Sequence, residues 1–493
     1  MRQGVGLAIE ERVAVTVDLV IRNGRVVTPG GIIGGGVAID GERIAAVGAD
    51  PTLPPARRSI DAREQYVIPG LIDAHVHMGS EEDPSIAEGL ARNMPVETKG
   101  ALHGGVTTFA HFVGQRNEPL VPNIQTTMRE GDRWSHVDYF FHAIVSTEGH
   151  YAELPAVWDL GVTSFKHFFN AYKPRPTEGL SWLGGPSDAG MLLRSLRFCA
   201  ERGAPGICVV HCEDIDVVAV LEDELMASGR TDLGAWSDAR PNVAEYSRIA
   251  MAIDLARTAR APIYIAHMST AEGADRVAAA RRDGWPVWAE VTPHHLTHTG
   301  GMEAEVGCWG KVNPPLRAAA DLDRLWRAFH DGGITCLGSD HGTGGRTHAT
   351  KAKGGPKHAN IWNARSGNRG GLEHFLPVLM TFGVHAGRIS IEDVARVGAL
   401  NTAKVFGLYP RKGALVPGAD ADVVIVDPER EAVVDDRFYH CLCETSVYHG
   451  YRFRGMARTT VVRGRVMLDE FETVGAPGWG RYVPRGDAGS RRS

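Results

Sequence analysis

Cysteine is scarce in this chain, which has seven scattered cysteines among 493 residues. That number is too small, and the spacing too wide, for the disulfide framework that staples small secreted domains. Long apolar runs are also missing, because none approaches the 18 residues that indicate a membrane-spanning helix. The first residues do not follow the basic-then-apolar pattern of a signal peptide. We therefore expect a cytoplasmic protein with reduced thiols and no membrane partner.

The chain lacks a strong excess of charge of either sign. Its 53 Lys and Arg against 59 Asp and Glu leave a net charge of -6. Such a balance gives no basic surface for nucleic acid, so we expect no nucleic-acid partner. The hydrophobic fraction of 43% and the charged fraction of 23% are typical of a globular protein. The length has room for a barrel of about 250 residues and a smaller domain.

Five short apolar runs end in side chains that can bind a metal. The residues at these ends are His75 with His77, Lys166, His211, His267 and Asp340. Polar groups at the C-terminal ends of buried parallel strands are typical of the active site of a TIM barrel. Histidine and aspartate suit a borderline divalent metal such as zinc.

The middle of the chain alternates strands with helices, which predicts an α/β fold with a TIM-type (β/α)8 barrel over residues 69–407. Helices are predicted over 188–202, 244–259 and 270–283. The eight predicted strands cover 70–77, 106–112, 139–145, 163–168, 207–211, 263–267, 287–291 and 334–338. The metal-binding candidates then fall on strands one, four, five, six and eight of the barrel.

Both ends of the chain have the pattern of β structure. Asn23-Gly24 and Asp40-Gly41 each interrupt an alternating apolar run, which predicts two tight hairpins. Residues 418–427 and 459–467 show the same strand-turn-strand pattern. We therefore expect residues 1–68 and 408–493 to pair into one small β-sandwich domain.

Local sequence leaves two interpretations open for several of these residues. His75 and His77 are two apart on a strand and share a face, so both can reach one ion, although a His-x-His pair also arises by chance. Lys166 is either salt-bridged to an active-site acid or carbamylated by carbon dioxide into a group that bridges two metals. His211 and His267 are either hydrogen-bonded core residues or ligands.

At these positions the sequence resembles the cyclic amidohydrolases of the amidohydrolase superfamily, in the dihydropyrimidinase/hydantoinase branch. The resemblance extends from Asp18 to about Arg485. Its motifs are Pro-Gly-Leu-Ile-Asp-Ala-His75-Val-His77, Ser-Phe-Lys166, Val-His211-Cys-Glu, Ala-His267-Met-Ser and Gly-Ser-Asp340-His.

The resemblance implies hydrolysis of a cyclic amide C–N bond, in a dihydropyrimidine or hydantoin ring, by a metal-bridging hydroxide. It implies two Zn²⁺ or other divalent ions per subunit and Lys166 carboxylated by carbon dioxide (N6-carboxylysine) as the bridge. His75 and His77 would hold one metal, and His211 and His267 the other. Asp340 would be both a ligand and the general acid/base. The family also implies a homo-oligomer, a homotetramer in many members.

The same resemblance suggests substrate contacts. Asn313 stands where the family's backbone grips the substrate amide, and Gly367 or Asn368 resembles a second backbone contact. Tyr172 resembles the hydroxyl donor of hydantoinases, but it lies six positions after Lys166 where the family has five. For His294-His295 we favour a supporting or packing role over metal ligation.

Several alternatives remain at this point. Dihydroorotases usually have an arginine where this chain has Gly79, which argues against that substrate. An allantoinase, a cyclic imide hydrolase and a non-catalytic scaffold protein of the same family are the others. The stretch from His341 to Leu372 contains six cations and no acid, which predicts either a solvated loop, an oligomer contact or attraction of an anionic substrate. Its cations are Arg346, Lys351, Lys353, Lys357, Arg365 and Arg369.

Overall fold

A computed structural model describes eight stretches of the chain. They cover residues 16–79, 83–114, 118–169, 187–343, 360–364, 366–435, 437–443 and 446–486. The strands in these stretches belong to two nine-stranded sheets. They are β1 (Val17–Thr28), β2 (Gly31–Asp40), β3 (Arg43–Gly48), β4 (Ala56–Asp61), β5 (Tyr66–Pro69), β6 (Leu71–His77), β7 (Val106–Val113), β8 (Asp138–Ile144), β9 (Ser164–Phe168), β10 (Ile207–His211), β11 (Ile263–Ile265), β12 (Val287–Val291), β13 (Cys336–Leu337), β14 (His341–Gly342), β15 (Val423–Val433), β16 (Arg452–Val462), β17 (Arg465–Asp469) and β18 (Glu472–Thr473).

Helices separate the strands of the second sheet and cover its outer face. They are α1 (Ile86–His103), α2 (Leu120–Trp134), α3 (Glu148–Asp159), α4 (Ala189–Arg202), α5 (Ile215–Ala227), α6 (Leu233–Asp238), α7 (Asn242–Ala259), α8 (Ala271–Arg282), α9 (Glu303–Val306), α10 (Ala319–Asp331), α11 (Gly371–Val378), α12 (Ile391–Ala395) and α13 (Asn401–Val405). Wider π-helical turns follow α11 at Leu379–Val384 and α12 at Arg396–Leu400. Short 3₁₀ turns lie at Asp50–Thr52, Pro293–Leu296, Gly307–Gly310 and Ile361–Asn363.

Parallel strands β6 to β13 form the barrel in the predicted order. Each pairs with the next, and the last strand is split into two pieces. Its first piece, β13, pairs with β12, and its second, β14, pairs with β6. The two pieces therefore join the last unit to the first. All eight predicted strands are present, and the predicted TIM-type class is confirmed, although the strand predicted over 334–338 shortens to Cys336–Leu337.

Helix starts follow from capping side chains that the sequence displays. Asp188 accepts a hydrogen bond from the Met191 N–H at the start of α4, and Thr270 accepts one from Gly273 at the start of α8. Such caps satisfy backbone donors that have no partner within the helix. The three predicted helices are confirmed within two residues at each end.

The other sheet combines strands from both ends of the chain. Strand β5 pairs antiparallel with β15, with Ile68 opposite Val424, so the predicted β domain built from both termini is confirmed. The domain limits at 68/69 and 407/408 stay predictions. Some apolar residues of this sheet, among them Ile21, Val37 and Val461, form a buried cluster of their own, whereas Ile68 and Val424 pack into the core of the barrel.

One of the two predicted hairpins in this sheet is wrong. Asn23-Gly24 lies inside β1 as a bulge, and the chain reverses at Thr28–Gly31 instead. Asn23 has the positive φ of 56° that a turn would need, but here the bulge lets β1 change its parallel partner from β4 to β5. The Asp40-Gly41 hairpin, between β2 and β3, is confirmed.

All seven cysteines lie in the described stretches, and none of them forms a disulfide. Among the helices described, none combines the length and the apolar character that crossing a bilayer requires.

Candidate metal centre

The six candidate ligands meet at the C-terminal ends of five barrel strands. His75 and His77 lie on β6, Lys166 on β9, His211 at the end of β10, His267 two residues after β11, and Asp340 between β13 and β14. The strand order of the barrel brings β13 and β14 next to β6, which is why residues so distant in sequence become neighbours.

His75, His77 and Asp340 form the first group. Their ligand atoms lie within 4.8 Å of one another. The Nε2 atoms of His75 and His77 are 3.2 Å apart, and Oδ1 of Asp340 lies 3.2 Å from the first and 3.5 Å from the second. The His75 side chain is 1% exposed, whereas those of His77 and Asp340 are 21% and 15% exposed, so the group opens towards solvent on one side.

His211 and His267 form the second pair. Their ring centroids are 4.3 Å apart, and the ring of His267 lies 5.0 Å from that of His75. Nε2 of His211 is held at 2.5 Å by Oε2 of Glu213, so Nδ1 is the nitrogen that a metal would use. Nδ1 of His267 is buried and has no hydrogen-bond partner among the residues described.

Lys166 lies fully buried near both groups. Its ammonium nitrogen contacts the faces of Phe112 and Phe168 at 4.8 and 4.7 Å from the ring centroids. Within the described stretches, Nζ has no hydrogen-bond partner, so the salt bridge considered as an alternative is not formed. Burial lowers the pKa of Lys166 below its ordinary value, although the charges of Glu290 and Asp340 oppose that shift.

The backbone is strained at two of the six positions. His267 has a φ of 33° and Asp340 a φ of 49°. Non-glycine residues rarely adopt the left-handed region, and such strain is concentrated at functional sites. Both residues stand just after a strand ends, and both side chains lie beside His75.

Glu290 supports this arrangement from β12, a role that the sequence reading did not assign. Its carboxylate contacts Nδ1 of His75 and accepts hydrogen bonds from the Tyr264 hydroxyl at 2.8 Å and the His267 N–H at 3.0 Å. A carboxylate on one ring nitrogen fixes the tautomer and presents the other nitrogen to a metal. The sequence signal for this role was an acidic residue inside the apolar run 287–291, because a carboxylate on a buried strand needs hydrogen-bond or charged partners.

Asp73 joins the first and last strands beneath the ligands. Oδ1 accepts hydrogen bonds from the N–H groups of His75, at 3.0 Å, and Ser339, at 2.9 Å. Burial raises the pKa of Asp73 to about 6. The carboxyl thus ties the turn that carries Asp340 to the strand that carries the two histidines.

The donor set fits a pair of divalent metals. Four imidazoles, one carboxylate and an amine with no hydrogen-bond partner converge, and the last can become a carboxylate by carbamylation. Imidazole and carboxylate ligands are those that Zn²⁺ and similar ions prefer.

Comparison with known proteins identifies the family. The family model described as "Amidohydrolase family" matches residues 188–467. A D-hydantoinase from Ralstonia pickettii is 33% identical over 475 residues, which cover 95% of this chain and 99% of that protein. This chain belongs to the amidohydrolase family. An L-hydantoinase from Paenarthrobacter aurescens is 30% identical to this amidohydrolase over 470 residues, 95% of this chain and 98% of that protein.

Solved structures agree with this assignment over the full length. The dihydropyrimidinase from Brevibacillus agri matches with a TM-score of 0.84 at 30% identity, over 95% of this amidohydrolase and 98% of that chain. The L-hydantoinase (dihydropyrimidinase) from Arthrobacter aurescens matches with a TM-score of 0.85 at 29% identity, over 95% and 100%. The resemblance noted in the sequence is thereby confirmed.

Three of the predicted substrate contacts of the amidohydrolase, Asn313, Gly367 and Asn368, lie in described residues. The side chain of Asn368 donates a hydrogen bond to the Ser339 carbonyl at 2.9 Å, and its own carbonyl accepts one from Gly342. Gly367, with a φ of 121°, bonds through its N–H to the Lys311 carbonyl, and Nδ2 of Asn313 lies 3.3 Å from Ser366. The bonds of Asn368 reach the turn around Asp340, whereas those of Gly367 and Asn313 connect the two predicted segments to each other.

Two further predictions have different outcomes in the amidohydrolase structure. Tyr172 and five of the six cations between His341 and Leu372 lie outside the described residues. The sixth, Arg369, donates a hydrogen bond to the Gly342 carbonyl.

His294 and His295 both contact the Thr292 hydroxyl, and Nε2 of His295 also lies 3.0 Å from the Pro314 carbonyl. Their supporting role stays a prediction that these contacts favour.

Proposed function

We propose that this amidohydrolase opens the ring of a dihydropyrimidine or a hydantoin to an N-carbamoyl amino acid. Two Zn²⁺ ions would be held by His75 with His77 and by His211 with His267, and carboxylated Lys166 would bridge them. The observation that carries the proposal is the buried Nζ of Lys166, which has no hydrogen-bond partner in the described structure and lies close enough to His75 and His267 to interact electrostatically with both. Full-length similarity to hydantoinases and a dihydropyrimidinase supports the choice of ring.

Carboxylation of Lys166 needs its neutral amine. The amine forms a C–N bond with carbon dioxide and releases one proton, which leaves a carbamate with two ligand oxygens. The site favours this step because burial disfavours the ammonium form and, among the residues described, no carboxylate is hydrogen-bonded to the amine. The product charge would be balanced by the metals.

Asp340 would transfer the proton during ring opening. When bound, the two divalent ions lower the pKa of water and polarise a carbonyl. Asp340 stands at the open side of the site, where its carboxylate can take the proton of the attacking water and deliver it to the ring nitrogen as the C–N bond breaks. Asn313, Gly367 and Asn368 would orient the ring through backbone contacts, and Tyr172 would support the developing oxyanion.

Ring opening over a substrate panel tests the proposal. Zinc-loaded protein would be given dihydrouracil, hydantoin, 5-substituted hydantoins, allantoin, dihydroorotate and succinimide, with product mass as the readout. We expect turnover of dihydrouracil or the hydantoins. Turnover of allantoin, dihydroorotate or succinimide alone would contradict the assigned substrates, and no turnover with two metals bound would contradict all of them.

The remaining proposals concern the oligomeric state, the cellular location and the cations that follow the last barrel strand. A homotetramer and a cytoplasmic location are proposed from the family resemblance and from the sequence. The six cations between His341 and Leu372 would attract an anionic ring. If they do, salt should weaken kcat/KM for an anionic substrate and not for a neutral one.

A further inference from the structure

Two buried ion pairs contact the chain beside the second histidine pair. Arg317 bonds to Glu245 in α7 at 2.8 Å, and Arg240 bonds to Glu222 in α5 at 2.6 Å. All four side chains are buried. A buried ion pair is weak evidence for stability, because the cost of removing two charges from water offsets their attraction. The groups that these side chains hold in place therefore indicate what the pairs do.

Glu245 fixes the connection between His267 and α8. Its Oε1 accepts hydrogen bonds from the N–H groups of Ser269, at 2.8 Å, and Thr270, at 3.3 Å, and from the Thr270 hydroxyl at 3.2 Å. Its Oε2 contacts the Ser269 hydroxyl. Thr270 is also the N-cap of α8. One carboxylate thus holds two of the three residues that follow the candidate ligand His267.

Arg317 is bonded in three directions. Its Nε donates a hydrogen bond to the Ser269 hydroxyl at 2.9 Å, and its Nη2 donates one to Glu245 at 2.8 Å. Its Nη1 donates one to the carbonyl of Arg240. A planar guanidinium with three such partners is held in a single orientation, which a lysine could not reproduce.

The segment 312–317 carries both Arg317 and Asn313, the proposed contact with the ring amide. The first carbonyl of this segment accepts a hydrogen bond from the Trp236 indole N–H at 3.0 Å. The last residue is fixed by the three bonds of its guanidinium. The segment of Asn313 and the connection after His267 are therefore joined through one ion pair.

The Arg240 pair reaches the other histidine of the second pair. Nε of Arg240 lies 3.9 Å from Oε1 of Glu213, and the other oxygen of Glu213 holds Nε2 of His211 at 2.5 Å. Because the Arg240 carbonyl is bonded to Arg317, both histidines and the segment 312–317 belong to one buried network.

We propose that Arg317 and Glu245 are positioning residues. They set the spacing between His267, on the metal side of the site, and Asn313, on the substrate side. The inference rests on the proposed function. A misplacement of about 1 Å can cost about 100-fold in rate. Five- and six-membered rings place the carbonyl and the amide differently, so this spacing also influences the ring size that the site accepts.

Kinetics with rings of two sizes test the inference in the full-length, metal-loaded protein. R317K keeps the charge but loses the planar bonding, and E245Q keeps the shape but loses the charge. We expect kcat to fall by about 10–100-fold in each variant, and the ratio of kcat/KM for dihydrouracil over hydantoin to change. Metal content should stay that of the wild type. The control R324K, which alters an ion pair to the exposed Asp275, should keep the wild-type ratio.

The spacing itself can be measured without activity. Crystal structures of the metal-free wild type and R317K should differ in the distance between the Cα atoms of His267 and Asn313. If R317K failed to fold, E245Q would decide by the same measurements. An equal loss of kcat/KM for both rings, an unchanged spacing or a loss of metal would each overturn the inference and leave the proposed function standing. A wild type that opened neither ring would contradict the proposed function, and the spacing alone would then decide the role of Arg317.

Discussion

Two buried clusters of ionisable groups show how differently the same side chains can be used. Near the start of β8, Asp138, Asp420 and Asp422 converge around Lys412, whose Nζ lies 2.8, 3.2 and 2.6 Å from their oxygens. Arg463 adds a second cation at 3.0 Å from Asp138. At the other end of the barrel, the buried amine of Lys166 has no such partner in the described structure.

The difference lies in where the balancing charge comes from. Burial alone would lower the pKa of Lys412, but three carboxylates hold it above its ordinary value. The acid cluster therefore neutralises itself with residues of the chain, and it needs no ion although its geometry resembles a metal site. The Lys166 cluster instead offers metal-binding atoms that no cation of the described chain occupies, together with an amine that can react with carbon dioxide. A buried cluster whose charges are balanced by residues of the chain indicates a structural role, whereas a cluster without that balance indicates a site that binds a ligand.

Replacing Lys166 is the strongest test of the Lys166 cluster as a metal site. K166A should empty the binuclear site and lower kcat by at least about 10³-fold, because metal activation of water and carbonyl is lost together. Metal content by elemental analysis and ring-opening rates are the measurements, with the exposed Lys404→Ala as control. Two bound metals and full activity in K166A would show that the bridging assignment is wrong.

Replacing Lys412 should lower the stability of the fold rather than its metal content. K412M leaves three buried carboxylates without their shared cation, so we expect a loss of about 3–5 kcal/mol in the free energy of unfolding. Metal content should not change. Urea denaturation measures the effect, and R58A, which breaks an exposed ion pair to Asp469, should cost no more than about 1 kcal/mol. Equal losses in the two variants would contradict the structural role.

Glu290 is a buried acid that contacts His75 and His267 in the Lys166 cluster, so its replacement tests metal binding rather than stability. E290Q keeps the shape but weakens the hold on Nδ1 of His75, and we expect about 10–100-fold lower metal affinity. Competition with a chelator measures this, and the exposed Glu305→Gln is the control. Unchanged affinity would mean that Glu290 only fills space.

His298 represents buried polar groups that belong to neither cluster. Burial lowers its pKa to about 4, while its ring contacts the Val447 carbonyl. The unfolded chain binds the proton first, so stability should fall as the pH drops from about 6.5 to 4, by up to about 1.4 kcal/mol per unit from this residue. H298Q should show a shallower decline in urea stability over that range. Parallel curves would remove His298 as a contributor.

Periodicity and strand-end residues were sufficient to predict the barrel, its eight strands and the positions of six candidate ligands. Alternating strands and helices allow few topologies, and a polar residue at the end of a buried strand has few explanations. The turn at Asn23-Gly24 was mispredicted because the same positive φ serves a hairpin or a bulge. Only the partner strands β4 and β5 decide between them.

Local sequence determined which residues of this protein can bind metal and which strands carry them. Tertiary structure alone decided how their charges are balanced, because the cations of the acid cluster come from positions 412 and 463 and its acids from 138, 420 and 422. It also placed Glu290 behind His75 and Arg317 beside Glu245. Electrostatic energies depend on distance and burial in space, and neither quantity is encoded in any short stretch of the chain.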